Sequence, residues 1–339
     1  SNEHDISIFS AKTVFKAFNS KYNKNRFKVK FFYIDKEGNW FDNEKSVNKI
    51  LEENPKGALN VSEIPNHDKF NFLDRIDFQE VDTWFPLLHG FNGEDGAIHG
   101  LLKFTQKPLI GSGILGSAIG MDKILMKKIF SHLKIPQVNY LAIQNQELED
   151  NHIKEKISAE IIKRLNFPIF IKPSNSGSSL GISKVNNKSE ISNALEKAYK
   201  IDSRILVEEG LEVRELECGI IGKSKLTTSL VGEISYSNEW YDYESKYSIN
   251  NKTTIPAEID PKIAKQVQKL AIQSCRALDI YGFARVDFFL EKNSNNLFLN
   301  EINTIPGFTS KSMFPMLWNA SGLDINQLVA KLVEISLKM

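Results

Sequence analysis

Two short stretches near the C-terminus restrict this chain more than any other feature. They are Ala284-Arg285-Val286-Asp287 and Asn300-Glu301-Ile302-Asn303, each a polar pair spaced by two and set between apolar neighbours. Side chains alternate between the faces of a strand, so the spacing predicts strands over 282–290 and 296–302, joined by a polar turn at 292–295. Arg285 and Asp287 then share one face, and Glu301 and Asn303 share one face of the neighbouring strand. Two carboxylates and an amide oxygen converge there. Hard oxygen ligands of this kind suit Mg²⁺, which keeps waters and takes substrate phosphates as its remaining ligands, and Arg285 is placed to neutralise a transferred phosphoryl group. The competing reading is a solvated face with an ion pair; four polar groups in register between apolar residues favour the metal.

At 339 residues the chain exceeds one ordinary core and implies two or three packed units. The 43 Lys+Arg against 42 Asp+Glu leave a formal charge of +1, which supplies no field for nucleic acid or an anionic membrane. Only Cys218 and Cys275 occur, without CxxC spacing, and neither a membrane-length apolar run nor a leader is visible. The expected compartment is the cytoplasm.

Helices are expected over 6–18, in a short segment after 96, from 121 to 133 (Met121, Ile124, Leu125, Ile129 and Leu133 on one face), and over 149–165, 188–200, 261–278 and 324–337. Strands are expected over 28–34, 77–88, 167–172 and 181–185, and from 205 onward. The pattern is α/β or α+β in three units, with the first boundary near Gly111.

Further segments carry chemistry. Lys172-Pro-Ser-Asn-Ser-Gly-Ser-Ser-Leu-Gly181 lies between two expected strands, where backbone N–H groups and hydroxyls can close over phosphates and Lys172 adds a charge; a flexible hairpin tip is an equal alternative. It is not a Walker A loop, because no Gly-Lys-Ser/Thr and no helix follow. Gly111-Ser-Gly-Ile-Leu-Gly116 fits GxGxxG but lacks the acidic partner about 20 residues on, so we read it as an interdomain hinge. Lys123, on the helix after it, is either surface or within reach of a phosphate. The acids of Glu208 to Glu215 could bind ribose or an adenine amino group and the aromatic-rich 240–247 stretch could form a lid, although for both an ordinary surface is the commoner reading. His89 and His99 have no ligand-spaced partners and read as structural.

Taken in order, Glu3-His-Asp-Ile-Ser7, His89-Gly-Phe-Asn-Gly-Glu-Asp-Gly96, Met121-Asp-Lys123, Ile171-Lys-Pro173, Gly177-Ser-Ser-Leu-Gly181, Tyr241-Asp-Tyr-Glu-Ser-Lys-Tyr247, Gly282-Phe-Ala-Arg-Val-Asp287 and Asn300-Glu-Ile-Asn-Thr-Ile-Pro-Gly307 resemble the D-alanine:D-alanine ligase family of the ATP-grasp superfamily. The resemblance spans nearly the whole chain. It implies a three-domain ATP-grasp fold: a Rossmann-like N-terminal domain over 1–111, a central domain over 112–208 and a C-terminal domain over 209–339. ATP would be a substrate and Mg²⁺ or Mn²⁺ a cofactor, with two ions.

The same resemblance assigns Lys123, Lys172 and Lys246 to the ATP phosphates, Glu208 and the Leu211 backbone to adenine, Glu215 to ribose, and Ser178 to the ATP site as well. Asp287, Glu301 and Asn303 match the metal ligands, and Arg285 the arginine that steadies the acyl-phosphate. Glu3 would take the ammonium of the first D-alanine, with Ser178 and Tyr247 linked to it, and His89 would line that site. Ser312 and Met313 would receive the carboxylate of the second D-alanine. A homodimer is implied, with no nucleic acid or membrane partner. Departures are also visible. The chain starts without the strand and Gly-Gly pair that the family carries before this glutamate, Glu209 stands where many members have lysine, and His99 stands where glutamine is frequent. Ligases making D-alanyl-D-serine or D-alanyl-D-lactate are the nearest alternatives, and a dehydrogenase using Gly111–Gly116 or an idle nucleotide-binding module are the distant ones.

Overall fold

The computed structural model describes residues 3–41, 80–144, 148, 150–177, 180–235 and 252–338. In chain order its elements are α1 (His4–Phe18), β1 (Tyr33–Ile34), β2 (Trp40–Phe41), α2 (Ala97–Lys103), α3 (Ile114–Met121), α4 (Lys123–His132), β3 (Tyr140–Ile143) and α5 (Asn151–Arg164). There follow β4 (Ile169–Pro173), β5 (Ser183–Val185), α6 (Ile191–Tyr199), β6 (Ile205–Glu209), β7 (Val213–Gly222), β8 (Leu226–Ser235) and β9 (Lys252–Thr254). The chain closes with α7 (Pro261–Ala277), β10 (Gly282–Glu291), β11 (Leu297–Asn303), α8 (Met313–Ala320) and α9 (Ile325–Leu337). Among the described residues no helix is long and apolar enough to cross a membrane.

Two antiparallel sheets organise the site. The first has strand order β3-β6-β4-β5 and the second β11-β10-β7-β8-β9. In the first, Leu141, Ile169, Ile171, Ile205 and Val207 point to one side and bury against Ile157 and Ile161 of α5 and Leu195 and Ala198 of α6. Strand alternation turns Lys172 and Glu208 to the opposite face.

The second sheet buries Leu216, Cys218, Ala284, Val286, Phe288 and Leu299 against Val267, Ala271 and Cys275 of α7 and against Met126 and Phe130 of α4. Its other face is shared. At one end α8 lies close on β7 and β8, because a Cβ at Gly219 would stand 2.7 Å from the Trp318 indole nitrogen and one at Gly232 only 2.8 Å from Leu317 Cδ2. The remainder of that face carries Arg285, Asp287, Glu217, Glu301 and Asn303.

Several expectations change in detail. The stretch over 121–133 is not one helix: Asp122 leaves helical geometry between α3 and α4 and caps the latter. Leu125 and Leu133 are exposed at 42% and 43%, while Ile124, Met126, Lys127 and Phe130 are buried, so the apolar face assigned from spacing is displaced. The strand over 28–34 shrinks to β1, and of the run over 77–88 the described part pairs only through a parallel bridge between Trp84 and Leu109. The glycines of 111–116 serve packing. A Cβ at Gly113 would lie 2.6 Å from Tyr281 Oη and one at Gly116 2.6 Å from the Asp279 carbonyl oxygen, so the glycine side of the start of α3 is backed by protein and offers no pyrophosphate cradle.

Candidate active site

Cross-strand register assembles the first cluster. Arg285 pairs with Asn303 and Asp287 with Glu301 across β10 and β11, and Asp287 also stands opposite Glu217 of β7. The register shifts after Asp287, where Asn300 is the extra residue; this bulge moves Leu297 and Leu299 into the core while keeping Glu301 and Asn303 on the polar face. Asn303 Nδ2 donates to Asp287 Oδ2 at 2.9 Å. Arg285 donates to both Asp287 oxygens at 2.7 Å and lies 2.8 Å from Glu217 Oε2. Burial disfavours its charge, yet Asp287 and Glu217 hold the guanidinium well above its ordinary value.

The second cluster lies on the first sheet. Glu208 is buried, with Lys127 Nζ 2.5 Å from Oε1 and Lys172 Nζ in contact with Oε2. Burial alone would raise this carboxyl, but the two ammonium groups outweigh it and hold it down at about 2. The Lys127 ammonium also stands 5.5 Å from the centre of the Tyr140 ring.

Helix α4 ties the clusters together. Lys123 and Lys127 are one turn apart on it and therefore on one side. Lys123 Nζ donates to the Ser176 carbonyl at 2.8 Å and lies 3.5 Å from Glu301 Oε2, so one helix reaches an acid of each sheet. Asp122 fixes its first turn by accepting from the backbone N–H groups of Ile124 and Leu125. Ser174 Oγ donates to Asp122, and Arg204 binds it with two nitrogens.

Of the other expected residues, Leu211 lies in the link between β6 and β7, where the Gly210 N–H donates to the Pro168 carbonyl at 2.7 Å, and Glu215 lies two residues before Glu217 on β7. The Glu209 carboxylate turns outward to accept from Asn139 and Asn166. Glu3 stands against the Ser/Gly loop, since a Cβ at Gly177 would be 3.1 Å from its Oε2. His89 is buried, with Nε2 2.8 Å from Ser10 Oγ and Nδ1 2.8 Å from the Ile305 carbonyl. Ser312 precedes α8 and its Oγ accepts from the Thr309 N–H, while Met313 is buried. Ser178, Lys246 and Tyr247 lie outside the described residues.

Lys127, Glu217, Asp122 and Arg204 were not singled out from the sequence. Glu217 was legible: Glu215-Leu216-Glu217-Cys218 repeats the period-two pattern of the Arg285 strand. Lys127 stands three residues from both Ile124 and Phe130, where an apolar stripe expects an apolar residue.

Asp287, Glu301 and Asn303 fit a hard divalent cation. They bring two carboxylates and an amide together from adjoining strands, oxygen-bearing groups of the kind such an ion takes.

The comparisons agree along the whole length. The family model described as D-ala D-ala ligase N-terminus matches residues 1–112, and that described as D-ala D-ala ligase C-terminus matches residues 129–334. A D-alanine–D-alanine ligase of Prochlorococcus marinus (strain MIT 9312) is 69% identical over 339 residues, covering 100% of this chain and 96% of that protein. The structure of the D-alanine–D-alanine ligase from Coxiella burnetii superposes with a TM-score of 0.80 at 29% identity, covering 100% of this chain and 91% of that one. The VanG D-Ala:D-Ser ligase from Enterococcus faecalis gives 0.84 at 32% identity, covering 99% and 96%. The mixed helix and sheet architecture is thus that of ATP-grasp ligases, and the chain belongs to the D-alanine–D-alanine ligase family.

Proposed function

We propose that this chain condenses two molecules of D-alanine to D-alanyl-D-alanine, a cell-wall precursor, using ATP and passing through D-alanyl phosphate. The observation that carries this reading is the convergence, through α4, of Lys123 and Glu301 on one side with Lys127, Lys172 and Glu208 on the other, beside Arg285 and Asp287. Such a junction suits a polyphosphate chain. Lys123 and Lys172, joined by Ser178 and Lys246, would hold the phosphates, Glu208 and the Leu211 backbone the adenine, and Glu215 the ribose. Asp287, Glu301 and Asn303 would hold Mg²⁺ or Mn²⁺, two ions in all; bound there, the ions neutralise phosphate charge.

Chemistry follows from charge. A carboxylate attacking a polyphosphate meets repulsion, which the lysines and Arg285 offset. The first D-alanine, with its ammonium on Glu3 and Ser178 and Tyr247 linked to that acid, attacks the γ-phosphorus; the bond to the bridging β-γ oxygen breaks and ADP leaves. His89 anchors this end by joining α1 to the Ile305 carbonyl. The neutral amine of the second D-alanine then attacks the acyl carbon, Arg285 faces the oxyanion, and the bond from carbon to the phosphate oxygen breaks, the departing phosphate carrying off the proton that the new amide nitrogen sheds. Ser312 and Met313, at the N-terminus of α8, are suited to the second carboxylate through the helix dipole.

We read the chain as three domains over 1–111, 112–208 and 209–339, working in the cytoplasm. A homodimer is supported by exposed Phe91, Phe104, Ile114 and Leu115 around α2 and the start of α3. The decisive experiment measures ADP and phosphate release with D-alanine, L-alanine, D-serine or D-lactate and identifies the product. D-alanine-dependent turnover to D-alanyl-D-alanine is expected; ADP formation without D-alanine would overturn the reading.

A further inference from the structure

Glu208 has two cationic partners that differ in their surroundings. The Lys127 side chain is 2% exposed and that of Lys172 is 13% exposed, on the strand that runs into the Ser/Gly loop. An incoming polyphosphate can draw Lys172 away, because its side chain is partly open to solvent beside the Ser/Gly loop. Lys127 has no such route. Its ammonium is enclosed by Glu208 and the Tyr140 ring, and its backbone is held in the first turns of a helix capped by Asp122.

We propose that Lys127 is the positioning residue for base selection, the fixed counter-charge that keeps Glu208 ionised and aimed at the purine after Lys172 has moved to the phosphates. This inference rests on the reading that Glu208 meets the base. An ionised carboxylate is an acceptor only, so it takes a hydrogen bond from a 6-amino group and repels a 6-oxo group. Without Lys127 a buried carboxyl that has lost its second partner takes up a proton, becomes a donor as well, and stops distinguishing the two.

The test compares kcat/KM for ATP and for inosine triphosphate, its 6-oxo counterpart, in the full chain. The unmodified protein is expected to favour ATP. Lys127→Met is expected to shrink that preference by at least about tenfold, mainly by raising KM for ATP, and Lys127→Arg to restore most of it. A Lys127→Met protein that keeps the full ATP preference while weakening both nucleotides equally would reduce Lys127 to a structural residue and overturn the inference.

Glu208→Gln separates the two claims. Loss of base preference in Glu208→Gln, together with its retention in Lys127→Met, overturns the role of Lys127 alone; an unchanged preference in Glu208→Gln overturns the placement of the base. Should Lys127→Met fail to fold, Lys127→Gln, which keeps a polar group against Glu208 but no charge, takes its place with the same expected loss of ATP preference and the same overturning result. Among the described residues the charged and titratable groups against Glu208 are Lys127 of α4, Lys172 of β4 and Tyr140 of β3, so the ATP preference of the unmodified protein is expected to stay flat from about pH 8 to pH 5.5. A preference that decays with a midpoint inside that interval would overturn the proposal.

Discussion

Arg285 grips Asp287, only two residues away on β10, by a two-point contact: Nε donates to Oδ1 and a terminal nitrogen to Oδ2, both at 2.7 Å. Glu217 closes on the same guanidinium at 2.8 Å, so one cation balances two largely buried acids. Binding of a metal–nucleotide complex would draw Asp287 toward the ion and release the fork for substrate oxygens. We expect Arg285→Ala to lower kcat by about 10²–10³-fold, as removal of one oxyanion donor does. Arg285→Lys should recover only part, because a point charge cannot reproduce the fork. Single-turnover ADP formation measures this; an intact turnover number in Arg285→Ala would remove Arg285 from the chemistry.

The same pairing predicts a metal phenotype distinct from that of Arg285. Asp287→Asn keeps the shape and an acceptor for Asn303 Nδ2 but removes one anionic ligand. The Mg²⁺ concentration for half-maximal activity should rise by about tenfold or more, with activity partly recovered at high Mg²⁺. Titration of phosphate release against Mg²⁺ checks it, and an unchanged metal requirement would move the ion elsewhere.

Legibility in the sequence followed the repeat of each element. Strands β10 and β11 were legible because their polar and apolar residues alternate, and α7 and α9 because they begin on Asp260 and Asp324 caps before periodic apolar residues. Helix α8 was not, since Met313-Phe-Pro-Met-Leu-Trp318 is apolar all round and shows no period; it is buried between the sheet glycines and α9. Asp122 hid a helix break because an acid inside an apolar pattern looks like a surface position, whereas here it caps a new helix. The bulge at Asn300 left only a trace: Leu297 and Leu299 share parity with Glu301 and Asn303, so strict alternation would put core and polar residues on one face, and pairing with β10 identifies the extra residue. Lys127 escaped because lysine inside a helix is ordinarily solvated. Its acid lies 81 positions further on in sequence, and only the fold brings β6 beneath α4.

Glu208 also dictates a pH response. Its carboxyl is held at about 2 in the folded chain against an ordinary 4.5, so it contributes stability that is fully present above pH 4.5 and is lost as pH falls through 2. Burial holds the Lys127 ammonium below its ordinary value, so the pair stabilises by less than the roughly 3 kcal/mol that the Glu208 shift alone corresponds to. Glu208→Gln lacks this titration and instead leaves Lys127 buried without its counter-charge, so it should be less stable at neutral pH by about 3–5 kcal/mol. Between pH 4.5 and 2 the gap between the two proteins should narrow. Urea unfolding across that range measures it; a constant gap would show that Glu208 does not carry the acid-sensitive stability.

The cap of α4 couples stability to nucleotide binding. Asp122 accepts from the N–H groups of Ile124 and Leu125 at 3.1 and 3.0 Å and from Ser174 Oγ at 2.9 Å, and it pairs with Arg204. One carboxylate thus joins the helix that bears Lys123 and Lys127 to the end of β4 and the start of β6. Asp122→Ala removes a cap worth about 1 kcal/mol and strands a partly buried arginine, for a total loss of about 2–4 kcal/mol. Asp122→Asn retains the cap and gives up the ion pair, so its loss should be smaller. Because both lysines hang from the first two turns, fraying there should raise KM for ATP several-fold while kcat changes less. Thermal melts read the first effect and ATP-dependent phosphate release the second. If Asp122→Ala lowered the melting temperature but left KM for ATP unchanged, the cap would serve the fold alone and the lysines would be positioned by their own ion pairs.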